Sequence, residues 1–290
     1  MMISIASGKG GTGKTTVATN LALSLGPNVQ LLDCDVEEPN AHLFIRPTWE
    51  SVEAITTPVP EVDNDKCTLC GKCGEICQFK AILVIGETVL TFPELCHSCG
   101  GCMEVCPEKA IEFPINTCGE WFISDTRFGP MVHARLGIAE ENSGKLVNLV
   151  RQQAKKLAEE RNAGLILTDG PPGVGCPVIA SIGGASVILI VTEPTVSGKH
   201  DMVRVAQLVE HFKVPGMICV NKFDLNPNEA KIIEDVAVDK DLTVMGRVPF
   251  DPVFTKAMVQ GQTIFEYDGQ SEAGVAVMEI WLRIKEKLQL

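Results

Sequence analysis

An apolar run from Ile3 to Ser7 leads straight into Gly8-Lys9-Gly10-Gly11-Thr12-Gly13-Lys14-Thr15, and no other stretch constrains the fold as tightly. The octet fits G-x-x-x-x-G-K-[ST] and sits where that pattern needs to sit, after a strand and at the opening of a helix. Glycines there let backbone N–H groups close around phosphate oxygens, and the helix N-terminus adds positive potential. Gly10, Gly11, Thr12, Gly13 and Thr16 are therefore expected to cradle the phosphates of ATP, with Lys14 on the β- and γ-phosphates and Thr15 on Mg²⁺.

Short β-branched runs then alternate with helical patterns: Val29 to Asp33, Leu165 to Asp169, Val187 to Val191 and Met217 to Asn221 read as buried strands. That rhythm predicts an α/β fold with a doubly wound, mostly parallel sheet. Between the runs at Val29 to Asp33 and Leu165 to Asp169 it stops, from about Glu37 to Asn142, a gap far longer than a crossover needs. Inside the gap, Cys67-x2-Cys70-x2-Cys73-x3-Cys77 with Lys80-Ala81-Ile82 recurs as Cys96-x2-Cys99-x2-Cys102-x3-Cys106 with Lys109-Ala110-Ile111, a repeat of period 29. Glu120 to Arg135, with Phe128-Gly129-Pro130 in its middle, reads as a hairpin leading back to the main domain. From Ser143, an expected N-cap, Leu146, Val147, Val150, Ala154, Leu157 and Ala158 mark one face of a helix.

The doubled cysteine run resembles the bacterial-type ferredoxin signature for two [4Fe-4S] clusters, in which the fourth cysteine of each run ligates the other cluster. The resemblance implies Cys67, Cys70, Cys73 and Cys106 on one cluster and Cys96, Cys99, Cys102 and Cys77 on the other. Paired structural zinc sites are the competing reading, although zinc motifs seldom interlock in this way. Gln78 departs from the pattern, standing where Pro107 follows Cys106 in the second copy; no ligand is lost. The implied domains are residues 1–60 and 114–290 for the nucleotide-binding part and 61–113 for an inserted α+β ferredoxin domain.

Lys9 adds detail, because Lys9 to Thr15 meets K-G-G-x-G-K-[ST]. Here the chain resembles the deviant Walker A ATPases, the group that includes MinD, ParA, Mrp and the nitrogenase iron protein. The resemblance implies a nucleotide-sandwich dimer, a homodimer or a heterodimer with a related ATPase, in which Lys9 reaches the partner's phosphates. It also implies that Asp33-Cys34-Asp35 is the first switch, with Asp35 positioning water at magnesium and the γ-phosphate. Asp169 in Thr168-Asp169-Gly170-Pro171-Pro172-Gly173 matches the Walker B-type carboxylate of the second switch. Asn221-Lys222 and Pro249-Phe250-Asp251 match the base-binding positions, Asn221 for adenine. Lys9, Lys14, Asp35 and Asp169 are the expected catalytic set. With the cysteine repeat included, the resemblance to MinD/Mrp-type ATPases carrying an inserted ferredoxin domain covers essentially the whole chain.

Twelve cysteines in a chain whose first strand leaves no room for a leader suggest a cytoplasmic protein with metal-bound rather than disulfide-bonded thiols. Four lie outside the repeat. Cys34 and Cys219 fall in apolar strands and read as small core residues. Cys176 follows the second switch at an offset similar to that of a cluster-ligating cysteine in the nitrogenase iron protein, so it is a candidate additional thiol site, and Cys118 is a candidate to share it. The C-x-x-C pair that Mrp-type carriers place near their C-terminal end is absent. With 25 basic and 37 acidic residues the net charge is −12, which argues against nucleic acid and anionic membranes as partners. No apolar run is long enough for stable membrane insertion, and the stripe Met278, Trp281, Leu282, Lys285 and Leu288 reads as a core-packing helix rather than an amphipathic tail.

Three functions remain in play. An ATPase could couple a nucleotide-driven dimer switch to electron transfer toward a redox protein or metallocofactor partner. It could instead assemble or carry iron-sulfur clusters. The third is a MinD- or ParA-like positioning ATPase.

Overall fold

The computed structural model describes residues 1–26, 28–137 and 143–290. From the N-terminus, β1 (Met2–Ser7) leads through the glycine loop into α1 (Lys14–Leu25), β2 (Val29–Asp33) and α2 (Ala41–Ile45). A long strand β3 (Thr48–Pro58) then runs outward to the cysteine-rich segment. That segment holds β4 (Glu61–Val62), α3 (Lys72–Ile76), β5 (Ile82–Ile85), β6 (Thr88–Thr91), α4 (Gly101–Glu104) and β7 (Ile111–Glu112). The chain returns along β8 (Ile115–Thr126), turns into β9 (Gly129–Leu136), and continues with α5 (Ser143–Glu160), β10 (Leu165–Pro172), α6 (Cys176–Ile182), β11 (Val187–Thr192) and α7 (Val196–Phe212). It closes with β12 (Gly216–Asn221), α8 (Pro227–Val238), β13 (Thr243–Val248), α9 (Val253–Val259), α10 (Ile264–Asp268) and α11 (Glu272–Leu288).

One nine-stranded sheet runs in the order β13-β12-β11-β1-β10-β2-β9-β8-β3. Pairing is parallel from β13 to β9, whereas β8 is antiparallel to β9 and β3 antiparallel to β8. Strands buried on both faces explain the near-continuous apolar runs. In β11, Val187, Leu189 and Val191 join the core under α1 and α11, while Ile188 and Ile190 join the opposite core under α7 and α8.

The long gap between the parallel strands is only partly an insertion. β3, β8 and β9 come from inside it and widen the main sheet by three strands; the expected hairpin over 120–135 is the β8–β9 pair. The cysteine-rich segment hangs from the far end of the β3–β8 ladder, and its two small sheets, β4–β7 and β5–β6, are separate from the main one. The apolar face expected on α5 is buried at all six positions, while the Ser143 cap falls on a side chain outside the described residues. In α11, Val277, Ile280, Trp281 and Ile284 are buried, so it packs on the core as expected; Met278 and Leu282 are exposed. Among the described residues no helix is long and apolar enough to cross a membrane.

Candidate functional site

The strand ends and the glycine loop enclose an open cleft of about 1260 Å³. Lys9 to Thr16, Asp35, Asn221 and Pro249 all line it, so the sheet gathers almost every residue singled out for nucleotide from segments more than two hundred positions apart. Its opening lies at the carboxyl ends of parallel strands, where ligands bind in open α/β sheets. The loop requires its glycines: Gly13 has φ 88°, and a Cβ there would lie 2.1 Å from Asn221 Nδ2. At Gly8 a Cβ would lie 2.4 Å from Asp201 Cβ.

Lys14 is buried, with Nζ 3.3 Å from Asp169 Oδ1 and 4.0 Å from Asp35 Oδ2. Burial pulls its ammonium down, but Asp169, Asp35 and Asp33 outweigh that and hold it above its ordinary value. Asp169 lies within this group rather than on the cleft wall; its Oδ2, like Thr12 Oγ1 and Asn40 Oδ1, is buried without a hydrogen-bond partner among the described residues. Orphaned oxygens beside a buried lysine and a glycine cradle fit a magnesium-bound triphosphate, which supplies the missing cation and acceptors. Burial pushes the Asp35 carboxyl up to about 6. Within the expected first switch, Asp33-Cys34-Asp35, Asp33 has a task of its own that no sequence signal announces. Asp33 is fully buried, and its carboxylate accepts from the N–H groups of Asp35 (3.0 Å), Asn40 (3.1 Å) and Ala41 (3.1 Å), folding the switch loop onto the start of α2.

Within the single chain, Lys9 Nζ is held 2.6 Å from Glu193 Oε1 and 3.0 Å from Ser197 Oγ. Glu193 also meets Lys222 at 3.3 Å, and the two lysines outweigh its burial to hold its carboxyl below the usual range. Asn221, expected at adenine, donates from Nδ2 to Thr12 O (2.8 Å) and accepts at Oδ1 from Lys222 N–H (3.0 Å), so in this state it braces the phosphate loop. The wall that continues from Pro249 is made by Phe250, Phe254 and Met258 opposite Leu43 and Phe44, an apolar slot to which periodicity gave no clue.

The cysteine-rich segment contains two much smaller cavities, of about 20 and 70 Å³. Cys67, Cys70, Cys73 and Cys106 line the first; Cys77, Cys96, Cys99 and Cys102 line the second, so the fourth cysteine of each run serves the other cavity. Backbone geometry repeats with the sequence: Leu69 and Ser98, Lys80 and Lys109, and Gly71 and Gly100 all take positive φ. N–H groups point at sulfur in matching places, Leu69 at Cys67 (3.5 Å) and Ser98 at Cys96 (3.3 Å), Ala81 at Cys77 and Ala110 at Cys106 (both 3.3 Å). Four thiols around a small apolar cavity, with N–H groups aimed at sulfur, form a donor set that fits a four-iron cluster. Among the described residues, no group of three or more His, Cys, Asp or Glu side chains is placed to hold a metal ion. Burial pushes the Cys73 thiol up, and Cys102 to about 11.

The remaining cysteines separate. Cys34 and Cys219 are fully buried, and burial pushes both thiols up, Cys219 to about 12. Cys176 is exposed at the start of α6, whereas Cys118 is buried in the β3–β8 ladder with its thiol donating to Ile55 O at 3.4 Å. One lies on the surface and the other in the core beneath α5.

A profile of the CobQ/CobB/MinD/ParA nucleotide binding domain matches residues 3–264. An uncharacterized protein of Methanocaldococcus jannaschii is 35% identical over 289 residues, covering 99% of this chain and 97% of that one. An iron-sulfur cluster carrier protein of Synechocystis sp. is 44% identical over 64 residues, 21% of this chain and 18% of the carrier. Among solved structures, the septum site-determining protein MinD of Pyrococcus horikoshii, complexed with Mg-ADP, superposes with a TM-score of 0.62 at 18% identity, covering 99% of this chain and 96% of that one. The chain belongs to the CobQ/CobB/MinD/ParA family of P-loop nucleotide-binding proteins.

Proposed function

We propose that this protein is an ATPase whose cysteine-rich segment, residues 61–113, carries two [4Fe-4S] clusters, and that nucleotide binding and hydrolysis regulate electron transfer from them to a redox protein or metallocofactor partner. The observation that carries the reading is the sorting of eight cysteines into two cavities of four, with the interlocked membership the ferredoxin signature calls for. When bound, the clusters supply one-electron chemistry and MgATP supplies the switch. The chain's own residues do the rest. Loop N–H groups and Lys14 hold phosphate, Thr15 takes magnesium, Asp35 orients the attacking water, and Asp169 braces the cation side. Pro249, Phe250 and Phe254 offer an apolar seat for adenine beside Asn221. Lys9, parked on Glu193 in the single chain, is the residue free to exchange that partner for a second protomer's phosphates.

A positioning ATPase is the second reading, and the likeness to the septum site-determining protein favours it. It assigns no task to the two cysteine cavities. Cluster assembly or carriage is the third, favoured by the short match to a cluster carrier. Anaerobically purified protein assayed for iron, acid-labile sulfide and zinc separates the first reading from the second: about eight iron atoms and as many sulfides per chain are expected. Stoichiometric zinc with negligible sulfide would refute the cluster assignment.

A further inference from the structure

The β8–β9 hairpin ends in Thr126-Arg127-Phe128-Gly129, and this tip is fastened to the nucleotide cleft. Phe128 is buried in the core shared with α1 and α2. Arg127 reaches over three elements at once. Its guanidinium donates to Ile45 O and, at 3.3 Å, to Phe44 O, two carbonyls left open at the C-terminal end of α2. It also donates to Gly261 O (3.2 Å), just past α9, and forms a two-pronged pair with Glu266 of α10, Nε to Oε1 and Nη2 to Oε2 (2.6 Å). Glu266 is itself set by Thr263 N–H (2.8 Å) and Thr263 Oγ1 (2.9 Å), and the next residue's N–H donates to Asn20 of α1 at 2.7 Å.

The walls of the apolar slot are α2, which contributes Leu43 and Phe44, and α9, which contributes Phe254 and Met258; Arg127 bonds the first directly and the second through the turn that follows it at Gly261. The other strand of the ladder starts at the same place, since β3 begins two residues after Arg46, whose Nη2 donates to Val259 O (3.2 Å). Both strands that carry the cysteine-rich segment are therefore anchored at the slot. Pairing from Thr48↔Asp125 to Pro58↔Ile115, with register shifts near Trp49/Ser51 and Ile55/Thr56, then joins the slot to the segment, a span on the order of 35 Å at strand rise.

We propose that Arg127 is the positioning residue through which occupancy of the nucleotide slot reaches the cysteine-rich segment, because it fixes the near end of β8 at once to α2, one slot wall, and to the turn that follows α9, the other. A ligand that draws α2 and α9 together tightens this junction and the ladder rooted in it. The inference rests on reading the cleft as a nucleotide site, and not on which metal the cysteines hold.

Hydrogen–deuterium exchange on the anaerobically purified holoprotein, with and without magnesium adenylyl imidodiphosphate, tests it. In wild type the analogue is expected to slow exchange in residues 48–58 and 115–126 by about tenfold, within the usual range for coupled sites. In Arg127→Gln that slowing should fall below about twofold while residues 8–16 stay protected by bound nucleotide. Arg127→Lys, which keeps the charge but not the fork, should fall between; Glu266→Gln, which leaves the carbonyl bonds, should do the same and gives a second reading if Arg127→Gln folds poorly. A residue of merely structural importance would speed ladder exchange equally in both states and leave the nucleotide-dependent ratio at its wild-type value. That result would overturn the proposal, as would loop protection without ladder protection in wild type. No protection of residues 8–16 would instead sink the nucleotide reading and the relay with it.

Discussion

The nucleotide cleft and the cysteine-rich segment are built in opposite ways. The cleft is assembled from far apart in sequence, Lys14 meeting Asp169 and Asn221 meeting Thr12 across a sheet buried on both faces. Its side chains rest on cores that are large and aliphatic. The segment is assembled from near neighbours, and three of its seven buried core positions, Cys73, Cys96 and Cys102, are candidate ligands themselves. So small a core contributes little apolar burial, and on the proposed reading metal ligation supplies the difference. On the proposed reading, one region rests on an aliphatic core and the other on the group its cysteines would hold.

That contrast can be broken from either side. The largest effect is expected from Lys14→Ala, which removes the buried cation from the phosphate site. Loss of a charge-assisted contact of about 3 kcal/mol weakens MgATP binding roughly 100-fold or more by equilibrium dialysis. Iron content should not change, and a parallel loss of iron would mean the two regions are not independently stabilised. Next, Cys102→Ala should remove about four iron atoms per chain and make residues 61–113 sensitive to protease, while MgATP affinity stays within about twofold of wild type. A segment that remained protected after losing those irons would show that its apolar contacts suffice. A far smaller effect on nucleotide affinity than that of Lys14→Ala is expected from Lys9→Ala. Binding stays within about threefold, since loop amides and Lys14 hold phosphate, but turnover and nucleotide-dependent dimerisation disappear. Wild-type turnover in this variant would show that Lys9 acts in no second protomer's site.

The same contrast explains what could be read from the sequence. The glycine loop, the buried strands and the cysteine repeat are local signals, and each is found in the structure where the spacing put it. β3 was missed because it is an edge strand with two register shifts, near Trp49/Ser51 and Ile55/Thr56. Only Ile55 and Thr57 are buried among its described side chains, while Trp49 and Val52 are exposed, so no apolar stripe marks it in the sequence. The role of Asp33 was hidden because its partners are backbone N–H groups, which carry no residue identity. Arg127 and Glu266 stand 139 positions apart; nothing local in a single sequence joins them. Cys118 and Cys176 looked alike as leftover thiols, and only burial sets them apart.

The central claim is that nucleotide and clusters act on each other, and an anaerobic redox titration tests it most directly. With MgATP against MgADP, the midpoint potential of at least one cluster is expected to move by about 60 mV, which needs only about 1.4 kcal/mol of differential binding in a one-electron couple. Linkage then requires reduced and oxidised protein to differ about tenfold in ATP affinity. Identical potentials with both nucleotides, together with equal ATP affinity in both redox states, would contradict the account.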